Sequence, residues 1–264
     1  MSALRLLPIL LSISLSATAR VRAVQHPGSI PSPRSVLWIA AHPDDEAVAA
    51  PLLAAWCNDQ HARCGMLIMT RGEAGACLKP EGCVPELATV RSAEAGAVSR
   101  YFSADLILLS VPDGGVASAP ALVETVAAYI NAFSPEVILT FDPRHGTTCH
   151  PDHRAIGAIA HEAAARVSPQ PTVYFLETRM SVTADPLTLH FSSASPGAYA
   201  YDANTVLAST REPAWNAVID DMQRHVSQFD ASWIAAVQKV SPSERAVFIA
   251  PAESALSQSI APCQ

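Results

Sequence analysis

The chain has 264 residues, half of them apolar, with 17 Lys and Arg against 24 Asp and Glu for a net charge of −7. That length suits one large domain with a substantial core, and the composition is not that of a disordered protein. The acidic balance and the lack of any Lys/Arg run speak against a nucleic-acid surface, which is normally basic on at least one face.

The N-terminus reads as an export signal. Arg5, the apolar run from Leu6 to Leu15 and the small residues Ala17-Thr18-Ala19 form a secretory signal peptide pattern, with cleavage expected after Ala19 or Ala23. The run is too short for a bilayer, and no later stretch approaches about 20 uninterrupted apolar residues, so no membrane span is expected. A periplasmic or extracellular location follows, and six cysteines fit an oxidising compartment. Cys57 with Cys64, and Cys77 with Cys83, flank short polar stretches and are expected to close local loops. Cys149 and Cys263 remain, and are expected to join the C-terminal tail to the loop beside His150. No Cys-x-x-Cys occurs, which speaks against a cysteine-held metal.

From Ser35 onward, short apolar runs alternate with helical patterns. Strands are predicted over Ser35 to Ala40, Cys64 to Thr70, Asp105 to Val111, Glu136 to Phe141 and Thr172 to Leu176. Helices are predicted between them, over Glu46 to Trp56, Glu86 to Phe102, Ala121 to Phe133 and Asp152 to Val167. The alternation implies an α/β fold, a Rossmann-like doubly wound and mainly parallel sheet of order 3-2-1-4-5. Residues 178–212 are mixed and polar, with short strands near Leu187 to Phe191. A helix is expected from Ala214 to Gln228, and an irregular tail from Ser241. A single domain over residues 35–264 is expected.

Two polar clusters fall at the C-terminal ends of predicted strands. Ala41-His42-Pro43-Asp44-Asp45-Glu46 follows the first, and His150-Pro151-Asp152-His153 follows the fourth. Doubly wound sheets bind ligands beyond the carboxyl ends of the strands where strand order reverses, which brings the two clusters to one crevice. His and carboxylate suit a divalent metal, and a catalytic zinc site uses three protein ligands with one position left for water. His42, Asp45 and His153 fit those three roles, leaving Asp44 to take a proton from the water. Acidic residues in a first helical turn also complement the helix dipole, and Asp152 suits that role as well.

The paired AHPDDE and HPDH motifs resemble those of the PIG-L/LmbE-like zinc deacetylases, over roughly Ser35 to Gln228. The resemblance implies one Zn²⁺ on His42, Asp45 and His153, Asp44 as general base, His150 at the oxyanion or leaving amine, and Asp152 orienting His150. Thr70-Arg71-Gly72-Glu73-Ala74-Gly75 is similar to the family's T-x-G-x-x-G loop, which makes Arg71 a substrate-binding candidate. Arg91 matches an arginine on sugar hydroxyls, and Asp113 a substrate-binding aspartate. His225-Val226-Ser227-Gln228 resembles a late structural motif. On the helix pattern alone, Arg91 and Glu94 read as a solvated face. Some relatives place an oxyanion-donating tyrosine before the second motif, where this chain has Thr147, Thr148 and Cys149. The resemblance further implies hydrolysis of the N-acetyl amide of an amino sugar or glycoconjugate by zinc-activated water, with a small-molecule or glycan substrate carrying an N-acyl amide as the partner. The alternatives are removal of a longer acyl chain from a lipopeptide or glycopeptide, and an exported binding protein without chemistry.

Overall fold

A computed structural model of the chain describes residues 30–119, 121–260 and 263, so the expected export signal lies outside the described residues. The five apolar runs become β1 (Ser35–Ala40), β2 (Arg63–Ile68), β3 (Ala104–Leu108), β4 (Val137–Phe141) and β5 (Thr172–Leu176). They pair in parallel in the expected order β3-β2-β1-β4-β5. Every residue of β4 and all but the first of β1 are buried, as central parallel strands require. Trp38 of β1 meets Phe141 of β4 edge-on, with ring centroids 5.4 Å apart.

The segment after β1 is less regular than one helix. A 3₁₀ turn over Asp45–Val48 leads into α1 (Ala50–Leu53), which continues as a π-helical stretch, Ala54–Asp59. Pro51 explains the restart, since it lacks an N–H and suits only the first turn of a helix. Next come α2 (Leu87–Tyr101), α3 (Leu122–Phe133), the short turn α4 (Gly146–Cys149) and α5 (Pro151–Ala164). α5 packs on α3 and along β4 and β1. Gly157 permits that approach, because a Cβ there would lie 2.1 Å from the Phe141 carbonyl oxygen. His153, one turn earlier on α5, is thereby brought over the end of β4.

The C-terminal part departs from expectation. A hairpin of β6 (Thr178–Ala184) and β7 (Leu187–Ser193) forms a second sheet, as the strand near Leu187 to Phe191 anticipates. β8 (Tyr199–Asp202) and β9 (Ala246–Pro251) extend the main sheet with antiparallel pairing beyond β5. The expected helix from Ala214 shortens to α6 (Asn216–Met222), followed by a separate α7 (Ala231–Lys239) capped by Asp230. The tail is not irregular, since it holds β9 and α8 (Ala252–Leu256). Among the described residues, no helix is long and apolar enough to cross a membrane. All three expected disulfides are present: Cys57–Cys64, Cys77–Cys83 and Cys149–Cys263.

Candidate metal centre

β1 pairs with β2 on one side and β4 on the other, so the strand order reverses between β1 and β4. The two clusters meet there. His42 Nδ1 lies 3.3 Å from His153 Nε2, His153 Nε2 lies 2.8 Å from Asp45 Oδ1, and His42 Nδ1 lies 3.6 Å from Asp45 Oδ1. A tetrahedral ion with bonds of about 2.0–2.1 Å holds its ligands roughly 3.4 Å apart. Three mutually facing donor atoms at these distances therefore fit one divalent ion. His150 also brings a ring nitrogen within 4.8 Å of the other two histidines, but it is exposed, whereas Asp45 is buried and nearer.

Each donor is fixed from behind. Asp45 Oδ2 accepts the backbone N–H groups of Ala41 and His42, which turns Oδ1 toward the histidines. His153 Nδ1 donates to the Gly146 carbonyl at 3.0 Å, which leaves Nε2 with its lone pair. Phe141 stacks flat on the His153 ring at 4.2 Å. His42 Nε2 lies 3.1 Å from Asp113 and 3.4 Å from Asp152, close as charges though without aligned hydrogen bonds. Burial opposes a charged His42, but Asp45 and Asp113 outweigh it and raise its pKa to about 10. Burial likewise pushes Asp45 up, but His153 and His42 hold it well below the carboxylate range. A cation entering between them displaces protons from the imidazoles.

Asp44 faces the same space without joining the three donors. Its φ of 101° lies in the left-handed region, a strain of about 1–3 kcal/mol of the kind found at functional sites. Arg91 holds it there, with Nη2 2.7 Å from Asp44 Oδ1 and further bonds to the carbonyls of Pro43 and Gly72. Burial pushes the Asp44 carboxyl up to about 6, against the pull of Arg91. Arg91 is thus no solvated residue, and neither is Glu94. Both are buried because α2 packs this face against the loop after β2 and the turn after α6.

Asp152 differs from its expected orientation. Its carboxylate accepts the N–H groups of Gly114 and Val116 and faces His42, so it ties the loop after β3 to the first histidine. Its link to His150 is through the backbone, whose N–H donates to His150 Nδ1 at 3.2 Å. Asp113 accepts the Ala74 N–H and lines the cleft with Arg91 and His150. Beside His42, Asp113 is held down to about 2. Arg71 is exposed and is not among the residues lining that cleft.

One buried network has no counterpart in the sequence reading beyond the late motif. His225 Nε2 lies 2.7 Å from Glu46 Oε1, while Ser227 donates both N–H and hydroxyl to Glu94. Burial disfavours a charged His225, but Glu46, then Glu94 and Asp221, outweigh it and hold its pKa well above the ordinary value. Burial and Glu46 in turn push Asp221 well above the carboxylate range. A raised histidine pKa stabilises the fold fully below the unfolded value of about 6.5, and the gain fades as pH rises through the folded pKa. His225→Gln is expected to cost about 3–5 kcal/mol by chemical denaturation near pH 6, the usual cost of breaking a buried pair, with a smaller deficit toward about pH 9. A deficit that does not change with pH would contradict a charged His225.

Residues 37–164, which contain every candidate site residue, match the family model described as PIG-L: GlcNAc-PI de-N-acetylase. A 1D-myo-inositol 2-acetamido-2-deoxy-alpha-D-glucopyranoside deacetylase from Kineococcus radiotolerans is 28% identical over 165 residues, covering 51% of this chain and 44% of that protein. The chain spans about half the length of the curated relatives it matches. Among solved structures, the N,N'-diacetylchitobiose deacetylase from Pyrococcus horikoshii superposes with a TM-score of 0.61 at 18% identity, covering 84% of this chain and 85% of that one. GalB, the 4-carboxy-2-hydroxymuconate hydratase from Pseudomonas putida, superposes with a TM-score of 0.57 at 17% identity, covering 78% and 83%. These two structures share the fold.

Proposed function

Because the chain carries a PIG-L-family segment over residues 37–164, we propose that it is an exported, single-domain, zinc-dependent N-deacylase that hydrolyses the N-acetyl amide of an amino sugar or glycoconjugate. The observation that carries this reading is the convergence of His42 Nδ1, Asp45 Oδ1 and His153 Nε2 within 3.6 Å of one another, with Asp44 alongside. Three disulfides among the described residues support export, since such bonds persist in oxidising compartments. The related fold also serves a hydratase, so amide cleavage rests on the donor set and the family segment rather than on the fold.

When bound by His42, Asp45 and His153, zinc lowers the pKa of water to about 7 and polarises a carbonyl. Asp44 accepts the proton of the attacking water, and Arg91 keeps its carboxylate aimed at the site. His150 takes a backbone N–H on Nδ1, which leaves Nε2–H as a neutral donor for the carbonyl oxygen as it becomes negative. Asp44 then returns its proton to the departing amine. Asp113 and Arg91, on the wall of the polar cleft, suit the hydroxyls of a sugar.

Acetate release from a panel of N-acetylated sugars and glycolipids is expected from the zinc-restored chain and to stop after chelation. If the zinc-loaded chain releases no acid from any N-acyl sugar, the reading gives way to an exported metal- or carbohydrate-binding protein.

A further inference from the structure

Two hollows meet at Asp44, Asp45 and His153. The larger, about 360 Å³, is the polar cleft walled by Arg91, Asp113 and His150. The smaller, about 180 Å³, extends away from the same three residues, and apart from Thr147 and Thr148 its remaining walls are apolar. Val48 comes from the 3₁₀ turn, Phe141 from the end of β4, Met180 from β6, Met222 from α6, and Phe229 and Trp233 from the start of α7 and the turn before it. Phe141 and Met222 are buried while Val48, Met180, Phe229 and Trp233 are half-buried, so the hollow is floored by the core and rimmed at the surface.

An amide joins two groups at one carbonyl, and the two hollows join at the groups that would act on that carbonyl. The polar cleft suits the hydroxyl-bearing amine side. The apolar hollow is left for the acyl side, and its size decides what that side can be. A cavity of roughly 150 Å³ lined by apolar side chains accommodates a benzene ring, whereas an acetyl methyl group would leave most of such a space unfilled. Two flexible methionines in the wall can follow a chain of varying shape.

We propose that the apolar hollow is an acyl subsite, and that the preferred substrate carries an unbranched or aryl acyl group of about four to eight carbons rather than acetyl. This inference rests on the deacylase reading above. Hydrolysis is balanced as for any amide: water supplies hydroxide to the acyl carbon and a proton to the nitrogen as the C–N bond breaks, releasing a medium-chain carboxylic acid and a free amine.

The test uses the full chain with acetate, butyrate and hexanoate as binding probes in calorimetry, and N-acetyl-, N-butyryl- and N-hexanoyl-glucosamine as substrates. Each buried methylene is worth roughly fourfold, so affinity and kcat/KM are both expected to rise on the order of 100-fold from two carbons to six. Val48→Phe and Met222→Trp, which fill the hollow from different elements, should each reduce the hexanoyl-to-acetyl ratio at least about tenfold. Val48 is only part-buried, so its variant remains informative if Met222→Trp does not fold. Affinity and kcat/KM that stay flat or fall with chain length would overturn the acyl subsite while leaving deacetylation intact. A chain-length gain that survives both fillings would place the acyl group elsewhere and overturn it too. Length-dependent acid binding without cleavage of any amide would support the apolar subsite and refute the deacylase reading instead.

Discussion

Asp44→Asn is expected to lower kcat by about 10²–10⁴-fold, the range that a positioned general base supplies, with zinc content unchanged. The substitution isolates proton transfer from everything else Asp44 does. Asn has the same shape and tolerates the left-handed region that Asp44 occupies at φ 101°, so the turn between β1 and the 3₁₀ segment keeps its geometry. Its amide oxygen can still accept from Arg91, 2.7 Å away in the native chain. The three donor atoms that fit the metal lie on His42, Asp45 and His153, so the ion is retained. What Asn cannot do is take a proton from water. Single-turnover rates beside metal analysis decide the matter, and a zinc-replete Asp44→Asn chain with nearly native kcat would remove Asp44 from the base role.

His153→Ala is expected to abolish activity by a different route, through loss of the ion. Replacing an outer-shell partner typically costs 10–100-fold in metal affinity, so deleting one of three direct donors should cost more than about 100-fold. The readout is stoichiometric zinc and the thermal shift on adding zinc, because an ion that binds only the folded chain stabilises it. The native chain should gain Tm with zinc and His153→Ala should not. The Phe141 ring would lose its stacking partner, so His153→Gln, which keeps some of that contact, guards against a packing artefact. His150→Ala serves as the contrast, since an exposed residue outside the three donors should keep zinc while losing kcat. Full zinc retention in both His153 variants would assign the third ligand elsewhere, with His150 next in line by distance.

The two positions also mark where sequence patterns inform and where they stop. AHPDDE and HPDH each sit immediately after a buried strand, and strand order alone brings those ends together. Their meeting was therefore legible. Arg91 was harder. Nothing in the α2 pattern distinguishes an arginine facing solvent from one buried against Asp44, because its partners Pro43 and Gly72 belong to loops after other strands. The Asp152 carboxylate reaches the 114–116 backbone and faces His42, while its N–H reaches His150 and its charge resists the fall of that histidine's pKa, so it tunes His150 without its carboxylate orienting the ring. β9 is not legible as a strand, because six residues carry little periodicity and its partners β5 and β8 lie far upstream in the chain.

By itself, the sequence determined what depends on neighbouring residues. Strand and helix alternation set the parallel sheet, paired motifs set the donor types, and cysteine spacing pointed to two local bonds and left a third pair over, all of which the structure forms. Tertiary structure alone decided what depends on chain closure. His225 and Glu46 are 179 positions apart yet share a 2.7 Å ion pair, and the apolar hollow beside the metal donors draws its wall from the 3₁₀ turn, β4, β6, α6 and the α7 region. The physical reason is that periodicity records which face of an element is buried, whereas the identity of what covers that face is fixed only when distant elements pack. The two motifs could be read because they lie at strand ends, where topology alone predicts the neighbour; the apolar hollow beside them could not.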